Sequence, residues 1–239
     1  MAGHSKWAKV KYQKAAKDPK RSKAFSKLSA LITVAAKDSG DIESNPKLRM
    51  AVDKAKEIGM PKENIEKAIK RGSGETKEGE KLEEIMCEAY APGGSALLIQ
   101  AITNNKNRTI AEIKHILQKN QAKMADTGSV LWSFKEMGKI ILPKKFWNDE
   151  ISLAAIEKGA EEIKEEDNQV IVYTAFQNFS QMKNFLSEHI DDEFLKTEID
   201  FISQQPINIA DPEIKNKLEQ LFNELDEHND VEEIYSNVQ

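Results

Sequence analysis

The sequence of 239 residues contains a single cysteine, Cys87, and no long apolar run. One thiol cannot form an internal disulfide, and a chain without disulfides is typical of a reducing compartment. No segment approaches the roughly 18 consecutive apolar residues that a membrane span requires. The basic N-terminal segment is not followed by the apolar region of a secretory signal. We therefore expect a cytoplasmic protein that has no membrane partner.

Motifs of catalysis and of metal binding are also scarce. The four histidines are far apart in the chain, and none has a metal-ligand spacing such as HExxH. They are His4, His115, His189 and His228. Cys87 lies in an apolar run, where we expect an inert buried thiol rather than a nucleophile. The segments RGSGE and PGGSA lack both the Lys-Ser/Thr pair of a Walker loop and the GxGxxG register. We therefore predict no catalytic residue and no metal site in this chain.

The first residues contain one exception to this scarcity. If Met1 is removed, Ala2-Gly3-His4 offers a free amine, two amides and an imidazole in the order that suits square-planar Cu(II) or Ni(II). We expect such binding in the test tube and assign it no biological role. Contact between His4 and a phosphate group is the alternative.

Positive charge is concentrated at one end of an acidic chain. The formal net charge is −5, but residues 1–72 carry a net +10 and residues 73–239 a net −15. This asymmetry is typical of a nucleic-acid-binding segment joined to an acidic body. Only the basic segment would attract a negatively charged partner over a long range.

Nine of the first 27 residues are basic, and Asp18 is the only acidic residue among them. The basic residues follow no helical or strand period, which favours contact with a run of phosphates. Trp7 and Tyr12 lie among them, and aromatic rings in such a segment can stack on exposed bases. We predict that these side chains bind nucleic acid, and a solvated charge run is the alternative. The basic residues are Lys6, Lys9, Lys11, Lys14, Lys17, Lys20, Arg21, Lys23 and Lys27.

Residues 19–72 predict three short amphipathic helices, each preceded by a proline that the first turn of a helix tolerates. The third helix should end at Gly72, a predicted C-cap. It carries Lys67, Lys70 and Arg71, which we predict to bind phosphates. A helix-turn-helix that reads base edges is the alternative, although only Asn64 and Arg71 are of the side-chain types that do so.

After a polar linker near Ser73, the pattern changes to strands that alternate with helices. We predict a strand pair around Pro92-Gly93-Gly94, a helix from about Thr109 to Lys123, and a second strand pair around Met137-Gly138. Further predicted elements are helices at 146–158, 179–189 and 212–225, and strands in QVIVYTA, FLKTEIDFIS and DVEEIYSNV. This order predicts open α+β sandwiches with helices on one face.

A polar loop, TNNKNRT, precedes the predicted helix at Thr109. Helix N-termini attract phosphate, so this loop is a possible second nucleic-acid contact. Ordinary helix capping by Thr109 or Asn107 is the alternative. The residues of the possible second contact are Asn104, Asn105, Asn107 and Arg108.

Several segments resemble the YebC family, a bacterial group that has a mitochondrial relative. They are MAGHSKWAKVKYQKAAKDPKRSKAFSKL, NPKLRMAVDKAKEIGMPKENIEKAIKRGSGE, YAPGGSALLIQAITNNKNRT and GSVLWSFKEMGKI. The resemblance covers essentially the whole chain, and its first two segments are the most specific. Tyr12 stands where histidine is common in the family, and Ala91 where glycine is common. The tyrosine favours stacking at its position.

The resemblance implies a multidomain α+β fold. An N-terminal three-helix domain, 1–75, would be followed by two α/β sandwich-type domains, one inserted in the other. The middle domain would comprise 76–132 and 206–239, and the inserted domain 133–205. The family is described as DNA-binding transcriptional regulators. Its mitochondrial relative activates translation of a cytochrome oxidase subunit, and bacterial members are linked to stalled ribosomes.

The resemblance also implies a protein that is not an enzyme and needs no cofactor. Together with the basic segment, it predicts a nucleic-acid-binding regulator of gene expression without a small-molecule substrate. Ribosomal RNA is the favoured partner, and duplex DNA at promoters is the principal alternative. An adaptor that docks on an acidic protein is a third interpretation. An enzyme would require a pocket lined by convergent polar groups.

Overall fold

A computed structural model describes residues 18–76 and 81–239, with side chains described from Arg21 onward. The chain forms two compact units. The first combines the residues up to Phe134 with Ser203–Gln239, and the second is Lys135–Ile202. The second unit thus interrupts the first along the chain. This α+β architecture with an inserted unit confirms the predicted fold class, whereas the predicted limits of the three domains stay a prediction.

Three helices open the described part of the first unit. They are α1, Asp18–Ala35; α2, Pro46–Glu57; and α3, Lys62–Gly72. Asn45 caps α2, because its side-chain oxygen accepts a hydrogen bond from the Leu48 amide at 3.1 Å. Pro61 is the N-cap residue of α3. Apolar side chains at helical spacing form the core between these helices, and they include Leu28, Ile32, Leu48, Ala51, Val52, Ala55, Ile65 and Ala68.

Gly72 has a different role from the predicted C-cap. It is the last residue of α3, and Ser73 follows it as the cap residue. A Cβ atom on Gly72 would lie 2.2 Å from the Thr33 carbonyl oxygen and 2.7 Å from the Ala36 Cβ. Glycine is needed here because α1 and α3 approach each other at backbone distance.

The first unit also contains an antiparallel sheet with the strand order β3-β1-β2-β8. Its strands are β1, Glu83–Ala91; β2, Ser95–Thr103; β3, Lys123–Met124; and β8, Val231–Ser236. The turn predicted at Pro92-Gly93-Gly94 is confirmed, and it joins β1 to β2. One face of the sheet packs against α4, Lys106–Lys119, and α7, Pro212–Asp226. The buried core between them includes Ile99, Ile113, Leu117, Leu221 and Phe222.

The second unit is built on another four-stranded sheet, in the order β5-β6-β4-β7. Its strands are β4, Phe134–Pro143; β5, Ala160–Glu165; β6, Gln169–Ala175; and β7, Lys196–Ser203. The helices α5, Asp149–Glu157, and α6, Phe179–Ser187, contact β5 and β6, respectively. Buried apolar side chains on both helices, such as Ile151 and Met182, fill the core of this unit.

The predicted strand pair around Met137-Gly138 is wrong, because β4 runs through both residues without a turn. Gly138 pairs with Thr174 of β6. A Cβ atom on Gly138 would lie 2.2 Å from the Phe179 ring, so this glycine makes room for α6. Gly138 is therefore a close-packing residue and not the turn residue that the sequence pattern predicts.

Candidate nucleic-acid interface

The predicted nucleic-acid-binding residues divide into three groups by location. Seven of them lie outside the described residues: Lys6, Trp7, Lys9, Lys11, Tyr12, Lys14 and Lys17. Lys20 lies in α1, and its side chain is outside the described part. The rest lie on α1, on α3 and at the start of α4, and their side chains can be located.

Lys67, Lys70 and Arg71 form a cationic group on α3, called here the α3 cluster. The opposite side of α3 is buried through Ile65 and Ala68, whereas all three cluster side chains are exposed. Their spacing of three and four residues brings them to one side of the helix. None of the three has an acidic partner within residues 18–76 and 81–239. The cluster therefore presents three uncompensated positive charges to solvent.

The C-terminal end of α3 stabilises the positive charges of the cluster. Lys70 and Arg71 lie in its last turn, where the helix dipole is negative and stabilises cations. Asn64 is exposed one turn before Lys67. Lys62 is paired with Glu66 at 3.7 Å, so it adds little net charge. The outward side of α3 is thus lysine-rich and offers few groups that discriminate between bases.

Two of the predicted lysines on α1 are engaged inside the protein. Lys23 donates a hydrogen bond to the carbonyl oxygen of Glu227, and Lys27 donates one to that of Asp226 at 2.9 Å. Both acceptors lie at the C-terminus of α7, where carbonyl groups lack helical partners. Lys27 is only 8% exposed. Its predicted contact with phosphate is corrected to a helix-capping role, because its ammonium group is buried against α7.

Replacing Lys27 by methionine should lower the free energy of unfolding by about 1 kcal/mol and leave nucleic-acid affinity unchanged. Methionine retains the apolar stem but cannot donate to the α7 carbonyl. Urea unfolding and fluorescence anisotropy with labelled RNA measure the two quantities. Lys67→Met is the matched control, with the opposite expectation of weaker binding and unchanged stability. Weaker RNA binding by Lys27→Met at unchanged stability would restore Lys27 to the interface.

Lysines also join the helices to the sheet elsewhere in the first unit. Lys54 of α2 pairs with Glu233 of β8 at 2.8 Å, and Lys37 donates to the carbonyl oxygen of Leu82. Polar contacts of lysines therefore contribute to holding the α3 cluster in a fixed orientation to the sheet.

Arg21 remains accessible on α1. Its side chain is exposed, and its guanidinium carbon lies 5.4 Å from the centre of the Phe25 ring. A cation over an aromatic ring keeps its charge and its outward donors. Of the three described basic side chains on α1, Arg21 is therefore the one available for phosphate.

The possible second contact loop is used largely for capping. Helix α4 begins at Lys106, three residues before the predicted start, and its N-cap is Asn105 rather than Asn107 or Thr109. The Asn105 side chain accepts from the Arg108 amide at 3.1 Å. Thr109 is buried. All four predicted contact residues of the loop are exposed, and two of them, Asn105 and Arg108, make the hydrogen bonds described here within the protein.

Arg108 is held by acidic groups beside this loop. Its guanidinium lies 2.7 Å from Asp230 and 3.9 Å from Glu112. His228 Nε2 donates a hydrogen bond to the Glu112 carboxylate at 2.9 Å, since its Nδ1 accepts one from the Asp230 amide. Burial would raise the pKa of Asp230, but hydrogen bonds from Thr109 and Arg108 lower it below its ordinary value. Glu112, His228 and Asp230 are close enough to bind a metal ion. Arg108 already supplies the positive charge there, so we assign no metal to this open cleft of about 830 Å³.

Comparison with known proteins identifies the family. The TACO1/YebC N-terminal domain matches residues 5–75, and the TACO1/YebC second and third domain matches residues 82–238. The chain belongs to the TACO1/YebC family. A crystal structure of a conserved hypothetical protein from Aquifex aeolicus is 37% identical, with a TM-score of 0.83 over 98% of this chain and 97% of that one.

Bacterial relatives in the TACO1/YebC family are similar over nearly their whole length. A protein of Halothermothrix orenii is 45% identical over 99% of this chain and 94% of the relative. A protein of Thermotoga petrophila is 43% identical over 99% of this chain and 93% of the relative. Both are named probable transcriptional regulatory proteins. The names describe a regulatory role for those two relatives.

The described helices of this TACO1/YebC protein also bear on the membrane prediction. In residues 18–76 and 81–239, no helix combines the length and the apolar character that a membrane crossing needs.

Sequence reasoning missed the internal roles of Lys27 and Arg108. The signal for Lys27 was present, since it adjoins Leu28 and stands four residues before Leu31 on the apolar side of α1. The partners Asp226 and Asp230 lie more than 100 residues away along the chain. No local pattern could have identified them.

Proposed function

We propose that this protein is a nucleic-acid-binding regulator of gene expression that acts on RNA, with the ribosome as its site of action. The α3 cluster carries the proposal, because its three cations are exposed and have no acidic partner in the described part of the chain, which suits them to phosphate groups. The basic residues before Asp18 add positive charge to the same N-terminal part of the chain. The acidic remainder of the chain would stay away from the phosphates and be free to meet another surface.

The side-chain types favour RNA over sequence-specific DNA. Lysine binds phosphate as a point charge, whereas base readout in the major groove relies on arginine, asparagine and glutamine. On α3 only Asn64 and Arg71 are of those types. The aromatic residues Trp7 and Tyr12 suit stacking on unpaired bases, which are common in folded RNA and rare in duplex DNA.

Binding to duplex DNA is the second candidate, and the geometry of α2 and α3 supports it. The two helices are joined by the four residues from Ile58 to Pro61, and Gly59 in that turn has φ 73°. A short turn that contains glycine is typical of helix-turn-helix units. The names of the bacterial relatives also favour transcription.

Sedimentation of the tagged protein in a cell-lysate gradient, at about 0.15 M salt, tests the proposal under physiological screening. We expect migration with ribosomes that is lost when the α3 cluster is changed to glutamine. Protein that remains at the top of the gradient while occupying defined promoter sites would favour the DNA candidate. Migration with a partner that persists after nuclease treatment would favour an adaptor instead.

A further inference from the structure

Exposed aromatic side chains form a second feature of the first unit, remote in sequence from its basic residues. Trp132 is 62% exposed and Tyr90 is 48% exposed, and Leu131 beside the tryptophan is also exposed. These are the exposed large hydrophobic side chains among the described residues of this unit. Neighbouring exposed apolar side chains of this kind are one feature of binding sites. We call Trp132 and Tyr90 the aromatic platform.

Both rings are anchored to one carbonyl oxygen. The Trp132 Nε1 and the Tyr90 hydroxyl each donate a hydrogen bond to the Ser129 oxygen, at 2.9 Å in both cases. The two rings are therefore neighbours, and their orientations are restrained. Their polar atoms are satisfied within the protein, so the platform offers ring faces rather than hydrogen-bond donors.

The loop that carries Ser129 is itself fixed by a buried carboxylate. Glu88 is 4% exposed, and it accepts hydrogen bonds from the amides of Gly128, Val130 and Leu131 at 2.6, 2.6 and 2.8 Å. Charge-assisted bonds of this kind are among the strongest in proteins. The platform is thus rigid before any ligand arrives, and binding would cost little additional side-chain entropy.

A lysine accompanies the platform. Lys123 of β3 is directly opposite Tyr90 of β1 in the antiparallel ladder, so the two side chains share one face of the sheet. Lys123 is exposed and has no acidic partner among the described residues. Asp126 is exposed in the same loop, so we expect one phosphate contact at most. Most of the binding energy would then come from the rings.

We propose that the aromatic platform binds unpaired bases of single-stranded nucleic acid by stacking, with Lys123 contacting an adjacent phosphate. This rests on the proposed function, because it adds a base-binding site to a nucleic-acid-binding protein. A protein partner fits less well, since aromatic anchors in protein interfaces typically use their Nε1 or hydroxyl donors toward the partner. Here both donors are occupied by Ser129, and stacking requires only ring faces.

Two measurements on the full chain test the platform. The first is the affinity for a labelled oligoadenylate of about 20 nucleotides, for which Trp132→Ala should cause a loss of about tenfold. Its salt dependence should stay unchanged, because no charge is removed. Leu153→Ala is the matched control, since Leu153 is an exposed side chain of the second unit and its removal should have no effect.

The second measurement is the fluorescence of Trp132 itself. In a Trp7→Phe background, addition of oligoadenylate should quench the tryptophan emission, and the further change Trp132→Phe should abolish the quenching. Trp147, the remaining tryptophan, serves as the internal reference. An RNA duplex of the same length should bind through its phosphates without quenching, because its bases are paired inside the helix and cannot reach the rings.

The outcomes separate the two proposals. Binding of oligoadenylate with neither quenching nor a loss in Trp132→Ala would overturn the platform and leave the proposed function standing. Equal quenching by the duplex would also overturn it. Failure of the wild-type chain to bind either RNA would contradict the proposed function and the platform together.

Discussion

Replacing Lys67, Lys70 and Arg71 together by glutamate should lower the affinity for single-stranded RNA about 100-fold at physiological salt. Each side chain is exposed and has no acidic partner among the described residues, so each is free to neutralise a phosphate. Glutamate removes that contact and adds repulsion. Fluorescence anisotropy with labelled RNA of several sequences measures the loss, which should be similar for all of them because phosphate contacts carry no sequence information.

Two controls make this result specific to the α3 cluster. Changing the exposed Lys81, Lys114 and Lys215 to glutamate alters the net charge equally and should affect binding only slightly. The triple glutamine variant of the cluster separates lost contacts from the cost of acidic residues at a helix C-terminus. An equal loss in the control triple would assign the effect to overall charge. A loss confined to one DNA sequence would indicate direct readout of bases.

The second large effect is expected at Glu88. Glu88→Gln should lower the free energy of unfolding by about 3 kcal/mol, since a buried carboxylate that accepts three amide hydrogen bonds is replaced by a group with one acceptor oxygen. Urea unfolding measures the change. The matched control is Glu83→Gln on the same strand, where the side chain is exposed and the expected change is within about 0.5 kcal/mol. Equal stability of the two variants would contradict a structural role for the Glu88 carboxylate.

The effect at Glu88 should depend on pH. Burial alone would raise the pKa of Glu88, but the hydrogen bonds from Gly128, Leu131 and Val130 lower it below its ordinary value. A lowered folded-state pKa means that the carboxylate stabilises the fold fully above the unfolded-state pKa of about 4.3. This contribution disappears as the pH falls through the folded-state pKa. The stability difference between wild type and Glu88→Gln should therefore be complete at neutral pH and shrink in acid.

Helices and the first hairpin could be predicted because their signals are local. Asn45 before Pro46 determines the start of α2, and the spacing of Leu48, Ala51 and Ala55 determines its buried face. Gly72 and Gly138 differ from their predicted roles for a shared reason. Each glycine makes room for an atom distant in the chain, Thr33 in one case and Phe179 in the other, and local patterns do not reveal such contacts.

Strand β5 could not be predicted from its composition. Glu161, Glu162 and Glu165 resemble a solvated turn, yet β5 lies at one edge of its sheet, where charged side chains are tolerated and protect against aggregation. Helix α4 begins three residues before its predicted start because Asn105 caps it, whereas Thr109 is buried and bonds to Asp230 across the fold. The tertiary structure therefore determines both the strand β5 and the start of helix α4.

The candidate site also has parts that local sequence signals predict and parts that depend on tertiary contacts. The free charges of the α3 cluster follow from the sequence, because the apolar stripe of Ile65 and Ala68 already directs Lys67 and its neighbours outward. Burial of Lys27 against α7 does not follow, since its acceptor is brought close only by folding. The aromatic platform likewise could not be predicted from the sequence, because Glu88 and Ser129 are neighbours only in the folded protein.

Our claim that the basic residues bind phosphates predicts a strong dependence of RNA binding on salt. Affinity for a single-stranded oligonucleotide is measured between about 0.05 and 0.2 M salt, for the wild type and for a variant with Lys6, Lys9, Lys11, Lys14 and Lys17 changed to glutamine. We predict a steep logarithmic slope for the wild type that the variant reduces by about 3.5. A wild-type slope near zero, or identical slopes for the two proteins, would contradict the claim.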